Sequence, residues 1–278
     1  MKHGLGRIRG CVICGALVAM AAGCAAEGPS RAAASDCERY VSGVEARIRQ
    51  ERGGVGPFLP GIDAEHAARL RGGQIVVERL TPAGGEALPG GLLHDWRGTV
   101  FVPGATVKEF EGMLRDFAAY PREFAPQVLA ARLVAGSGER LQMEMRVRQK
   151  HVIAVTLDGT YDVRFGLLDA ENGWSTSQST RIEEIGADGR PLSPDAEHGF
   201  LWRLDTWWRY EQRDGGLYVQ METVSLTRSI PAGLGWVVGP FVENIPQESL
   251  EFTLRRACAA MREPTGIRQS EGREGERQ

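Results

Sequence analysis

Apolar and polar residues alternate with a period of two through most of the chain's second half, and this alternation predicts a series of antiparallel strands. The clearest pair flanks Arg213-Asp214-Gly215-Gly216. Whether the loop there has two residues or four, Trp208 falls opposite Met221, so both loop lengths give one register. One face of this hairpin then carries Trp202, Leu204, Thr206, Trp208 and Tyr210 beside Val219, Met221 and Thr223. The other carries Arg203, Asp205, Arg209, Gln220 and Glu222, and the first face is expected to look into the core. Upstream, Leu141, Met143, Met145 and Val147 share one parity, as do Ile153, Val155, Leu157, Tyr161, Val163 and Phe165. Asn172-Gly173 is expected to turn the chain into a strand from Trp174 to Ile185.

Helical spacing occurs in three places. Cys37, Tyr40, Val41, Val44 and Ile48 form a stripe on a helix over 36–50 capped by Ser35 or Asp36. Thr106 caps a second helix with Val107, Phe110, Met113, Leu114 and Phe117 on one face. Beyond the bend at Gly233, Gly235 and Gly239, Pro246 is placed to start a third, with Leu250, Leu254, Ala257, Cys258 and Met261 at helical intervals. A short helical turn over 64–70 and a strand over 74–80 complete the reading, with strands also expected over 94–102 and 128–134.

The N-terminus changes the picture of where this domain works. Lys2, Arg7 and Arg9 precede an uncharged run from Cys11 to Ala22, too short to span a bilayer and flanked as a secretory signal is. The run ends in Ala21-Ala22-Gly23-Cys24, which resembles the lipobox of bacterial lipoproteins, with Ala21 where that motif usually has leucine. The resemblance implies lipidation at Cys24 and a membrane anchor; ordinary cleavage near Ala26 is the alternative. Cys11 and Cys14 would leave with the signal, so their C-x-x-C spacing implies no redox or metal site. Cys37 and Cys258 remain, either as a disulfide closing a long loop and contributing about 5 kcal/mol, or as two buried thiols.

Composition is that of an ordinary globular chain: 278 residues, 42% hydrophobic, 25% charged, with a net charge of −3. No basic cluster interleaved with aromatics is present, which argues against a nucleic-acid partner. His66, His94, His151 and His198 lack metal-ligand spacing and read as loop or strand-end residues. Ser175, Ser177 and Ser179 alternate on a strand without a nucleophile elbow and read as surface hydroxyls. The glycine-rich pieces lack the lysine and context of a phosphate cradle. Arg203, Asp205, Arg209 and Glu222 read as a solvated charge ladder on the face away from the last helix.

Strand, helix, short helix, long antiparallel meander and C-terminal helix follow one another from Leu92 to Met261. This order, with Val102-Pro103-Gly104-Ala105-Thr106 and Asp116-Phe117-Ala118-Ala119-Tyr120-Pro121, resembles the START-like, or Bet v 1-like, polyketide cyclase and lipid-transport superfamily. The resemblance implies an α+β helix-grip fold, in which a curved antiparallel sheet wraps a long C-terminal helix, here with an N-terminal helical extension. The expected division is signal 1–23, tether 24–35, extension 36–91, helix-grip domain 92–262 and a disordered tail 263–278.

In that superfamily the sheet and helix enclose a cavity for lipids, sterols, polyketides or other apolar ligands. Met143, Met145, Leu157, Tyr161, Trp208 and Met221 would line such a cavity here, with Thr206, Thr223 and Gln178 as polar groups able to orient a ligand. The same stripe would equally serve as a filled core. The resemblance thus implies a cofactor-free binder or transporter of a hydrophobic small molecule at the cell envelope. A cyclase or hydrolase-type enzyme using the same cavity, and a non-catalytic interaction module, are the alternatives.

Overall fold

The hairpin forms in the expected register. Its strands, β8 (Arg203–Arg213) and β9 (Gly216–Arg228), are the last two strands along the chain, and they pair Trp208 with Met221 and Thr206 with Thr223. Asp214 and Gly215 both take positive φ, 56° and 74°, the two-residue turn whose twist suits the strands it joins. The computed structural model describes residues 28–82, 85–150, 154–229 and 235–262. The N-terminal apolar run, Cys24, the charged tail, His151 and Ile153 lie outside the described residues.

In chain order the elements are α1 (Arg31–Arg52), α2 (Ala64–Arg71), β1 (Val76–Arg79), β2 (Glu86–Leu88), β3 (Gly91–Pro103), α3 (Val107–Arg115), a 3₁₀ turn and α4 (Tyr120–Glu123), β4 (Val128–Ser137), β5 (Arg140–Lys150), β6 (Ala154–Leu167), β7 (Asn172–Glu184), β8, β9 and α5 (Gly235–Arg262). All pairings are antiparallel, in the order β1-β3-β9-β8-β7-β6-β5-β4, with β2 added to β3. The long C-terminal helix rests against this sheet, chiefly over β3, in an α+β helix-grip arrangement. Gly98 makes the close contact possible. A Cβ at Gly98 would lie 2.5 Å from a methyl of Leu254 and 3.2 Å from one of Leu250. Thr106 and Glu109 form the reciprocal capping box that starts α3, fixing the four-residue stripe of α3 under the sheet's end.

Several boundaries differ from expectation for identifiable reasons. Ser30, not Ser35 or Asp36, caps α1, accepting from the Ala33 amide at 3.1 Å and donating to the Pro89 carbonyl at 2.8 Å. Residues 31–35, assigned to the tether, are therefore helical, as their alanines favour. α5 begins at Gly235, so Pro246 lies inside the helix and does not start it. Asn172-Gly173 is not the turn but the first step of β7. Asp169 makes the turn, accepting from the Glu171 amide at 2.8 Å and from the Asn172 side chain. Trp202 precedes the first paired residue of β8 and sits with the α1 side of the sheet, not with Leu204.

The largest correction concerns the outer face. Arg203, Asp205, Arg209 and Glu222 do not form a solvated ladder; α1 lies across them, burying Asp205, Arg209, Gln220 and Glu222 to 1% exposure or less. Its stripe of Cys37, Val41, Val44 and Ile48 packs on Leu93, Trp207, Val224 and Leu226, outward-facing apolar positions of β3, β8 and β9. Charge is matched as well. Glu222 accepts from Arg97 at 3.1 and 3.2 Å and pairs with Arg47 of α1; Arg209 pairs with Glu51 of α1 and donates to Gln220 at 2.7 Å. Arg203 bridges Asp205, at 2.7 Å, and Glu38. Because Cys37 is on this outer side and Cys258 on α5 opposite, the sheet stands between them, and both are free thiols, not the disulfide considered from sequence.

Within this layer the Tyr40 hydroxyl donates to Asp95 at 3.0 Å. Burial first, and then the Glu222 charge beside it, push the Asp95 carboxyl well above the carboxylate range, against the pull of Tyr40, Arg47 and Arg97. A carboxyl raised in the folded state keeps a proton that the unfolded chain has released, so its stabilisation holds at low pH and is lost as pH rises. Asp95→Asn, which never ionises, should therefore gain on the natural protein as pH climbs from 5 to 9, by about 2 kcal/mol. Urea titrations of both proteins at each pH measure this, and a constant difference would contradict it. Taking the difference cancels the opposite trend from His94, present in both.

Candidate functional site

On the inner face of the sheet the alternation that buries one side of each strand leaves a hollow. α5 hugs β3, setting Leu250, Leu254, Ala257 and Ala260 into the core there. Over β7–β9 several inward positions are small: Ser175 and Ser177 on β7, Thr206 on β8, Thr223 and Ser225 on β9. Short side chains under a helix drawn toward one edge do not fill the space, and a cavity of about 350 Å³ remains. That is within the range of small-molecule pockets, about 300–1,000 Å³.

Met143 and Met145 of β5 and Leu157 and Tyr161 of β6 form one wall. The Tyr161 ring lies back over Gly159, where a Cβ would meet it at 2.4 Å, and burial holds its phenol above the usual range. Trp208 and Met221 continue the floor, and Phe110 of α3 meets Trp208 edge-on at 5.7 Å. Leu114, Phe117, Tyr120 and Phe124 close one end. At the other end the loop over 198–201 forms a lip, and α5 covers the top with Ser249, Phe252 and Thr253. Gln149 of β5 donates to Ser249 at 3.0 Å, tying the wall to the cover.

The lip is built on one buried carboxylate. Glu184 accepts from the backbone amides of His198 and Phe200, at 2.9 and 3.0 Å, and contacts the His198 ring nitrogen at 2.9 Å. His198 in turn stacks on Phe200 at 5.3 Å. The lip thus has defined geometry, although it lies between strands.

All the candidate cavity residues line the cavity except Gln178. Gln178 pairs with Asp205 on β8 and donates to Glu45 of α1 at 2.6 Å, so it belongs to the outer layer. The inward residues of β7 are instead Ser175 and Ser177, opposite Trp208 and Thr206. They are not surface hydroxyls; Ser175 is buried and both line the cavity. His94 is not a strand-end histidine either. It is buried in β3 on the parity of Trp96, Val100 and Val102, and lines the cavity opposite Ser225. Burial, and then the positive charge of Arg79, push its imidazole down to about 4. That parity was legible along β3, and it was the signal that would have placed His94 inside.

Thr206 and Thr223 sit opposite each other at the middle of the floor. Thr206→Val removes one hydroxyl without changing shape. A bound molecule hydrogen-bonded there should dissociate about five- to tenfold faster from the variant, as the loss of one such bond implies. Unchanged retention would show that this hydroxyl does not hold the ligand.

Sheet order and gripped helix together define an α+β helix-grip fold with a cavity between sheet and helix. No family model matches the chain, and no curated protein matches it in sequence. Among solved structures it is similar to a STAR-related lipid transfer protein from Xanthomonas axonopodis, at 20% identity, over 64% of this chain and 97% of that one, with a TM-score of 0.41. It is also similar to human STARD10, at 9% identity, over 77% of this chain and 86% of that one, with a TM-score of 0.43. A third is the Zhui aromatase/cyclase from Streptomyces sp. R1128, at 13% identity, over 61% of this chain and 91% of that one, with a TM-score of 0.39.

Proposed function

We propose that this chain binds a hydrophobic small molecule or lipid in the cavity between sheet and α5, and carries it at the bacterial cell envelope. The observation that supports this reading is the hollow itself: about 350 Å³ walled by methionines, aromatics and aliphatics, with a few hydroxyls on one side. Flexible thioethers adapt to ligands of varied shape, and the small residues of β7–β9 keep the space open. The acids and arginines at the centre of the sheet, Asp95, Arg97, Asp205, Arg209 and Glu222, are on the face away from the cavity. The chemistry inside the cavity therefore favours holding an apolar body over acid-base turnover.

The envelope setting rests on the cationic start, the short apolar run and Cys24. Acyl chains on Cys24 would anchor the protein at about 0.8 kcal/mol per buried CH₂, with the few residues before Ser30 as a short leash. Native mass spectrometry of the chain extracted from membranes tests both parts. A diacylated N-terminal cysteine and a non-covalent apolar mass lost on denaturation are the expected results. An unmodified Cys24 would remove the anchor, and a chain that neither carries nor takes up any apolar molecule would remove the carrier.

A further inference from the structure

Five inward positions of the sheet form two adjoining cross-strand rows. Ser177, Thr206 and Thr223 are successive partners across β7, β8 and β9, and Ser225 and His94 are partners across β9 and β3 in the next row. All five line the cavity. Ser225 and His94 stand out because Ser225 Oγ and His94 Nε2 are buried with no hydrogen-bond partner among the described residues. Opposed residues of an antiparallel pair have Cα atoms about 5 Å apart, so the two groups share one small region of the cavity. Buried polar groups are almost always paired, and two unpaired ones lining a hollow point to something that enters it.

We infer that the bound molecule is an uncharged amphiphile whose hydroxyl group is held between His94 Nε2 and Ser225 Oγ, with its apolar body lying toward Met143, Phe117 and Phe124. This rests on the carrier reading and names the class of ligand. A hydroxyl is both donor and acceptor, so it satisfies a neutral imidazole in either tautomer and a serine hydroxyl at once. The imidazole is neutral at ordinary pH because burial and Arg79 depress it. A carboxylate there would be a desolvated ion with no cation placed to pair with it, since Arg79, whose charge reaches His94, stacks on Trp96 at 4.8 Å and is not among the residues that line the cavity. Among the described lining residues Arg228 alone carries a fixed charge, and it stands at the last position of β9, beyond Ser225 and Thr227. An ether would accept but leave the serine or imidazole proton arrangement half-satisfied.

The test uses the full chain loaded with the fluorophore N-phenylnaphthylamine, displaced in turn by decanol, decyl methyl ether and decanoate at neutral pH. Decanol should displace it about tenfold more strongly than either of the others, the discrimination expected when buried polar groups are left unpaired. Ser225→Ala and His94→Phe should each erase most of that preference while leaving the ether unchanged. Should His94→Phe fail to fold, Ser225→Ala decides. Equal displacement by all three, strongest displacement by decanoate, or a decanol preference that survives Ser225→Ala would overturn the inference and leave the carrier reading standing. If the fluorophore and all three competitors fail to bind the natural protein, both fall.

Discussion

Glu222→Ala is expected to destabilise the fold by about 3–5 kcal/mol, the range for removing one partner from a buried charge cluster. Glu222 is fully buried and meets Arg47, Arg97 and Arg209. Arg47 can turn to water, since its side chain is 34% exposed, but Arg209 at 1% cannot. Without the carboxylate the cluster keeps Glu51 and Gln220 on Arg209 and Asp95 near Arg47 and Arg97. Asp95 would then ionise more readily, recovering part of the loss. Glu222→Gln, which still accepts a hydrogen bond, should cost less than alanine. Urea unfolding at pH 7 measures all three proteins. A loss below about 1 kcal/mol, typical of exposed pairs, would mean that α1 does not cover this face in solution.

This outer layer is also where sequence reasoning went furthest astray, and the cause is physical. Alternation along β8 and β9 identifies two faces, and charge on one of them reads as contact with water. The cover comes from elsewhere in the chain: Arg47 and Glu222 are 175 positions apart. Two signals were nevertheless present together. The α1 stripe of Cys37, Val41, Val44 and Ile48 needed an apolar surface, and Leu93, Trp207, Val224 and Leu226 supplied one on the charged face. Charges scattered among apolar residues, facing a helix with charges of the opposite kind at Glu38, Arg47 and Glu51, describe a buried seam better than a solvated ladder.

What was legible depended on local rules that tertiary contacts do not override. The Asp214-Gly215 turn fixes the β8–β9 register because few residues tolerate positive φ at both positions. Thr106 and Glu109 start α3 by satisfying its first amides. Gln178 failed because the parity of β7 follows from its pairing with β8, and its own sequence of small polar residues carries no hydrophobic contrast to reveal which side faces in. Asn172-Gly173 misled for the opposite reason: a strong turn signal was outcompeted by Asp169, whose side chain captures the Glu171 amide and Asn172 amide group.

Ser177→Phe should weaken binding of an apolar ligand about tenfold to a hundredfold, and the direction of its effect on stability distinguishes a hollow from a packed core. Ser177 faces the cavity between Val163 and Thr206, its partners on β6 and β8. A phenyl ring there occupies space the ligand needs, and overlap of that kind costs about 1–3 kcal/mol in a filled site. With no ligand present, the ring enters a cavity of about 350 Å³ among Leu157, Tyr161 and Met143, gaining apolar contact at little expense. The ligand-free variant should then melt at or above the natural protein's temperature while its affinity falls. If the space were filled by side chains, the same substitution would lower the melting temperature by several degrees and change binding only through unfolding. Calorimetry of ligand-free protein alongside fluorophore titration reads both quantities from one preparation, and a fall in melting temperature with unchanged affinity would place the ligand elsewhere.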